Sequence, residues 1–139
     1  MADNPITATV RETKESPFSV EVIVNGHKIK SDQPVESGGK NLGPHPHAIL
    51  VAALGACTAQ TVRWYASRHD VPLDAVEVDL TYARENVEGR TGLVDVFTKA
   101  VHLTGAKLTP EQRAKLLDVA NKCPVQRLLE SSPVIRTIE

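Results

Sequence analysis

The segment "PHPHAILVAALGACTAQTVRWYASRH" constrains the fold of this chain more than any other stretch. Its length, together with a proline that suits a first helical turn, predicts one long helix from Pro46 to His69. At 100° per residue, one side of this helix carries Leu50, Leu54, Cys57 and Trp64, and the opposite side is mainly alanine, glycine and valine. Both sides are therefore apolar, and a helix that is apolar all round is expected to be buried all round.

The length of the chain limits how such a helix can be covered. A sequence of 139 residues suits a single domain, residues 1–139, with a modest core. A core of that size cannot easily wrap a long helix on every side. A second copy of the chain would supply the missing cover, so we expect a homodimer with this helix near its centre.

Composition excludes several classes of function. Sixteen basic and seventeen acidic residues leave a net charge of −1, so the sequence offers no basic surplus for a nucleic acid. The longest apolar run, "AILVAALGAC", is about half of what a bilayer demands. The first residues do not resemble a secretory signal. We expect a cytoplasmic protein with no nucleic-acid or membrane partner, whose two cysteines are free thiols, ligands or a redox pair.

Alternating apolar and polar residues predict strands on both sides of the long helix. The Asn25-Gly26 pair predicts a hairpin turn between two of them. Thr109 and Gln112 form a predicted capping box, with Pro110 at the first position of a second helix. The expected fold class is therefore α+β. The predicted strand segments are 6–13, 18–30 (two strands), 75–85, 92–105 and 134–139, and a short helix is predicted to follow Cys123.

The two cysteines differ in their local surroundings. Cys57 lies in the middle of a helix, where the helix dipole offers little help, so a reactive Cys57 needs a cation from elsewhere; otherwise it is a small hydrophobic residue. Cys123 precedes Pro124 and is placed to cap a short helix, which lowers a thiol pKa. Local chemistry therefore favours Cys123 as the more easily ionised thiol, with a buried linker cysteine as the alternative.

Two motifs of the sequence resemble those of a known family. "GGKNLGPHPHAILVAALGACTAQTVRWYA" is similar to the glycine- and proline-rich segment and "AALGACT" helix of the OsmC/Ohr proteins, the osmotically inducible and organic hydroperoxide resistance family. "KCPVQRLLE" is similar to the second cysteine segment of that family. The order of predicted strands and helices also agrees, and the resemblance is strongest to the OsmC-like branch.

The resemblance implies an intertwined homodimer in which antiparallel sheets pack around a long central helix. It also implies thiol-dependent reduction of organic hydroperoxides: Cys57 attacks the peroxide, becomes a sulfenic acid and forms a disulfide with Cys123. No cofactor is expected to be bound, and an external dithiol, in the best-known members a lipoylated protein, restores the thiols. Leu50, Leu54 and Trp64 are then candidate walls of an apolar substrate pocket.

The sequence departs from the family at the residues that activate the first cysteine. The family uses an early arginine held by a glutamate near the start of the central helix, but His47 and Ala48 occupy that region here. Arg11 and His47 are the candidate polar partners, and Gln126 replaces a histidine beside the second cysteine. These departures leave two alternatives open: a non-catalytic dimer that binds a small apolar ligand or senses oxidants, and a structural protein with inert thiols.

A metal site is not expected. His45 and His47 flank Pro46, but two histidines supply fewer ligands than the three or four that a zinc site needs. A solvated pair of loop side chains is the simpler interpretation of these two histidines.

Overall fold

The computed structural model describes residues 4–139. The chain forms two compact units, and the boundary between Leu50 and Val51 falls inside the first α-helix. The elements in chain order are strands β1 (Ala8–Glu12), β2 (Val20–Val24) and β3 (His27–Ser31), helix α1 (Pro46–Arg68), strands β4 (Ala75–Asn86) and β5 (Leu93–Thr104), and helices α2 (Pro110–Ala120) and α3 (Pro124–Glu130). The α+β class predicted from the sequence is confirmed.

The first unit contains an antiparallel sheet in the order β1-β2-β3. The predicted hairpin turn is present, because Val24 pairs with His27 across Asn25 and Gly26. Both turn residues have positive φ, 51° and 79°, as a two-residue turn of the type that favours Asn-Gly requires. Local turn chemistry therefore sets the register of β2 against β3.

A buried carboxylate organises the loop that follows β3. Asp32 is 2% exposed and accepts hydrogen bonds from the Ser16 hydroxyl at 2.7 Å and from the backbone N–H groups of Gln33, Lys40 and Leu42. Burial raises the pKa of Asp32, but these hydrogen bonds outweigh it and hold the pKa below the ordinary range of an aspartate. The loop is thus held by polar contacts.

Two glycines of the "GGKNLGP" motif let the backbone pass close to other backbone segments. A Cβ atom on Gly39 would lie 2.0 Å from the carbonyl oxygen of Gln33, and one on Gly43 would lie 2.0 Å from that of Lys30. Neither position has room for a side chain. These motif glycines therefore have a structural role in the first unit.

The second unit is built on a long hairpin of β4 and β5, in which Ala75 pairs with Thr104 and Asn86 with Leu93. Its core is formed by residues from α1, α2 and the segment before β4. Gly55 of α1 lies directly against Leu80 of β4, since an added Cβ would be 2.5 Å from Leu80 Cδ1. The buried core consists of Val62, Ala66, Leu73, Leu116 and Ala120.

Helix α1 is buried on one face within this chain. Its buried residues follow helical spacing along a single stripe, while Leu50 and Trp64 are 38% and 57% exposed. Part of the apolar surface of α1 is therefore left open by one copy of the chain, and the homodimer stays a prediction. The buried stripe comprises Leu54, Gly55, Thr58, Val62 and Ala66.

The capping box predicted for α2 is confirmed. The Thr109 hydroxyl accepts a hydrogen bond from the Gln112 backbone N–H at 3.1 Å, and the Gln112 side chain accepts one from the Thr109 N–H at 3.0 Å. The short helix α3 also begins as predicted, with Cys123 at its N-cap and Pro124 at its first position. Among the described residues, no helix has the length and apolar character that crossing a membrane demands.

The predicted strand over residues 134–139 is wrong. These residues adopt no regular structure, and Val134, Ile135 and Ile138 are 78–90% exposed. A strand needs a neighbouring strand to accept its backbone hydrogen bonds, and in residues 4–139 the sheets consist of β1–β3 and of β4–β5. The apolar pattern of residues 134–139 was therefore not enough to predict a strand, because it does not show whether a neighbouring strand is available.

Candidate active site

The second unit brings the two cysteines together, although they are far apart in the sequence. Cys57 lies in the middle of α1 and is partly buried, whereas Cys123 lies between α2 and α3 and is 0% exposed. Both are free thiols. The Cys57 sulfur accepts a hydrogen bond from the Val125 backbone N–H at 3.5 Å, and hydrogen bonding by the Cys57 side chain is one of the influences that lower the pKa of Cys123. The two cysteines thus lie in one cluster.

Thr58 connects the cysteine pair to the helix backbone. Its side chain is fully buried, and its hydroxyl donates to the Leu54 carbonyl at 2.8 Å. The same oxygen lies 3.5 Å from the Cys123 sulfur. Thr58 is placed there because it follows Cys57 directly and lies on the buried stripe of α1.

Lys99 supplies a positive charge to this cluster from β5. Its ammonium donates to the Thr58 hydroxyl oxygen at 3.0 Å and to the Ala120 carbonyl at 2.8 Å. Ala120 is the last residue of α2, where carbonyl groups lack helical partners and a cation is favourable. Two fixed acceptors therefore hold the half-buried lysine side chain in place.

The electrostatic balance at Cys123 favours the thiolate. Burial raises the pKa of this thiol, but hydrogen bonding to Thr58, the nearby backbone amide of Gln126, the Cys57 thiol and the Lys99 charge together hold its pKa below the ordinary value of a cysteine. A lowered pKa for Cys123 is the direction predicted from the sequence. Solvent access favours the other cysteine, because Cys57 is only partly buried whereas Cys123 is fully buried.

The three predicted pocket residues have different surroundings. Leu54 is 3% exposed and belongs to the buried stripe of α1, whereas Leu50 and Trp64 are exposed. The Arg68 guanidinium lies 5.2 Å from the centre of the Trp64 ring. Trp64 also lines a shallow groove whose other lining residues are Ala59, Gln60, Arg63, Ala75 and Val76, and Cys57 is not among them.

The two candidate polar partners lie in the first unit. Arg11 is exposed in β1, and His47 is exposed in the first turn of α1. The His45 and His47 rings are 6.3 Å apart, and His45 Nδ1 accepts a hydrogen bond from the Ala48 N–H, which caps the start of α1. A role for Arg11 or His47 beside Cys57 stays a prediction.

A further cluster could offer ligands to a metal ion. Glu77, Asp79 and His102 place one ligand atom each within 4.8 Å of one another on β4 and β5, and all three are exposed. His102 Nε2 lies 3.0 Å from Asp79 Oδ2, so the two side chains already partner each other. Exposed carboxylates are well solvated without a metal, and the cluster contains no cysteine.

Sequence reasoning missed Thr58 and Lys99. A signal for Lys99 was available, because strand alternation places it on the same face as Val101 and Leu103, which pack against the core. A lysine at an inward position of an apolar strand face normally has a partner. No comparable signal exists for Thr58, since its contacts with Cys123 and Lys99 are tertiary.

Comparison with known proteins identifies the family of this chain and shows which solved structures share its fold. The family model described as "OsmC-like protein" matches residues 38–138. No curated protein sequence matches this one.

Solved structures share the architecture at low sequence identity. An organic hydroperoxide resistance protein, OsmC, from Legionella pneumophila is 19% identical with a TM-score of 0.68, over 93% of this chain and 91% of that one. An OsmC-like protein from Mycoplasma pneumoniae is 20% identical with a TM-score of 0.69, over 94% and 91%. An organic hydroperoxide resistance protein from Elizabethkingia anophelis is 16% identical with a TM-score of 0.69, also over 94% and 91%. Since the family model covers most of the sequence, including both cysteine segments, this chain belongs to the OsmC-like protein family.

Proposed function

We propose that the protein is a thiol-dependent peroxidase that reduces organic hydroperoxides with Cys57 and Cys123. The observation that supports this most strongly is the placement of a partly accessible thiol and a fully buried one in the same cluster. An oxidant needs access to the first sulfur, and a disulfide needs the second sulfur beside it. Structures named as organic hydroperoxide resistance proteins share this fold.

In the proposed first step, Cys57 acts as the nucleophile. The pair of thiols loses one proton, and the sulfur of Cys57 attacks the terminal oxygen of the hydroperoxide. The O–O bond breaks, Cys57 becomes a sulfenic acid, and the alkoxide leaves as an alcohol after taking a proton. Cys123, whose thiolate is favoured, accepts the proton of the Cys57 thiol as the Cys57 sulfur attacks.

The second step closes the disulfide. The Cys123 thiolate attacks the Cys57 sulfur, the S–O bond breaks, and hydroxide leaves as water after protonation. An external dithiol then reduces the disulfide by two exchange steps and becomes a cyclic disulfide itself. The protein returns to two thiols, and no bound cofactor enters the cycle.

Steady-state consumption of cumene hydroperoxide with dithiothreitol as the reductant tests this proposal. Wild-type protein should turn over many times, and Cys57→Ser should consume no peroxide above the background. Cys123→Ser, assayed without dithiothreitol, should consume about one equivalent without forming the internal disulfide. The two substitutions are matched, since each replaces a sulfur by an oxygen in the same cluster. Equal turnover by wild type and Cys57→Ser would refute the proposal.

The same assay separates catalysis from the alternatives left open by the sequence. A sensor or a ligand-binding protein would lose its thiols slowly and in proportion to peroxide, without repeated turnover. A structural protein with inert thiols would leave both cysteines unchanged.

A further inference from the structure

Resting on this proposed function, we propose that Lys99 is a positioning residue which, through the Thr58 hydroxyl, holds Cys123 as the leaving thiolate, so that the reductant attacks the disulfide at Cys57. The inference concerns the direction of disulfide reduction, which the presence of two cysteines alone does not determine. It follows from four features of the cluster.

The first feature is the direction of the hydrogen bonds to Thr58. An ammonium group only donates, so the Thr58 oxygen must accept from Lys99 at 3.0 Å. The lysine is also tied to the Ala120 carbonyl at 2.8 Å, which fixes its position. The single hydroxyl hydrogen of Thr58 therefore remains available for another acceptor.

The second feature is that this hydrogen has two acceptors within reach, the Leu54 carbonyl at 2.8 Å and the Cys123 sulfur at 3.5 Å. When Cys123 is a thiol, its S–H donates to the Thr58 oxygen, and the hydroxyl donates to Leu54. When Cys123 is a thiolate, rotation of the hydroxyl turns its hydrogen to the sulfur. Leu54 keeps its helical partner, the Thr58 backbone N–H, so neither state leaves a buried polar group unpaired.

The third feature is the placement of charge. Among the described residues, the ionisable groups that act on the Cys123 sulfur are Cys57 from α1 and Lys99 from β5. A thiolate at a site with 0% exposure needs a charge partner or hydrogen bonds. Lys99 is the cation of the cluster, and it reaches the sulfur through Thr58. Burial raises the pKa of Cys123, but these partners lower it by more.

The fourth feature is access to the disulfide. Cys57 is partly accessible and Cys123 is fully buried, so an incoming thiolate meets Cys57 first. Its sulfur forms a bond to the Cys57 sulfur, the Cys57–Cys123 bond breaks, and the electron pair goes to Cys123. A leaving thiol of lower pKa leaves faster, so charge and access favour the same direction.

Trapping with a monothiol tests the direction. Protein oxidised with diamide, a chemical oxidant that forms the disulfide without hydroperoxide, is exposed briefly to 2-mercaptoethanol, alkylated, digested and mapped by mass spectrometry. We expect the mixed disulfide on Cys57 and the alkyl group on Cys123. The opposite labelling would overturn the proposal. Because this experiment uses the unmodified chain, it decides the direction whether or not any variant folds.

Substitution of the two supporting residues tests their role. Lys99→Met should raise the pH at which Cys123 becomes alkylated by iodoacetamide and slow the exchange at neutral pH by about three- to tenfold, the effect expected from losing support for a charged group. Thr58→Val should have the same two effects. Thr58→Ser, which keeps the hydroxyl, should show the wild-type pH of alkylation and the wild-type exchange rate. Wild-type pH profiles and exchange rates in Lys99→Met and Thr58→Val would overturn the proposal, because a purely structural role would not shift the pH profile.

The outcome is distinguishable from failure of the proposed function. Diamide oxidation and thiol exchange require no peroxidase turnover. A chain that consumes no cumene hydroperoxide but exchanges at Cys57 in a Lys99-dependent way would refute the proposed peroxidase function and support the proposed role of Lys99. A chain that turns over peroxide but forms its mixed disulfide on Cys123 would do the reverse.

Discussion

Replacing Leu116 by alanine tests the packing that holds the cysteine cluster. Leu116 is 0% exposed at the centre of the core between α1 and α2, so the substitution loses the whole burial of the side chain and leaves a cavity. Leucine-to-alanine changes at such sites cost about 2–5 kcal/mol of the free energy of unfolding. For a chain of this size, that corresponds to a fall of the melting temperature of about 6–15 °C.

The neighbouring residue offers a matched control. Leu117 lies in the same helix but is 47% exposed, so Leu117→Ala loses about half as much burial and should cost no more than about 1 kcal/mol. The difference in helix propensity between leucine and alanine cancels in the comparison. Both variants are measured by urea denaturation at one protein concentration, because association would otherwise shift the apparent stability.

The comparison would refute the described core if the two variants lost the same free energy, or if Leu116→Ala lost less than about 1 kcal/mol. It also bears on the site. Helix α2 ends at Ala120, whose carbonyl holds Lys99, and Cys123 follows three residues later. A core around Leu116 is therefore what keeps the buried thiol beside Cys57.

Three further changes test other parts of the structure in the same urea assay. Thr109→Ala removes a capping hydroxyl and should cost about 1 kcal/mol without changing peroxide consumption; unchanged stability would contradict the capping box. Gly39→Ala places a Cβ against the carbonyl of Gln33 and should cost about 1–3 kcal/mol; a neutral or stabilising effect would contradict the close approach. The pKa of Asp32 is lowered in the folded chain, so the ionised carboxylate stabilises the fold. This contribution is fully present above about pH 4 and is lost as the pH falls through the folded pKa. Asp32→Asn should therefore flatten the loss of stability in acid, and an unchanged acid profile would contradict this assignment.

The parts of the fold that could be predicted are those specified by local chemistry. The bounds of α1 follow from Pro46 and the apolar run, the hairpin from Asn25 and Gly26, and the start of α2 from the capping box at Thr109. Each signal lies within a few residues of the feature that it produces. The order of the elements was predicted from the same kind of local pattern, and the family resemblance agreed with it.

What could not be predicted depends on contacts between distant segments. The strand expected over residues 134–139 did not form, because strand pairing is non-local and an apolar pattern does not provide a partner. Local chemistry predicted a lowered pKa for Cys123, the direction that the structure gives, but assigned it to the helix that follows. Thr58 and Lys99 also act on the sulfur, and they reach it through tertiary packing.

The most direct test of the central claim is peptide mapping after treatment with one equivalent of cumene hydroperoxide. The reaction is quenched in acid, free thiols are alkylated, and the peptides that carry Cys57 and Cys123 are identified by mass spectrometry. We predict rapid loss of both thiols and a disulfide that joins Cys57 to Cys123 of the same chain. Two thiols that remain free, or a link formed between two Cys57 residues of different chains, would contradict it.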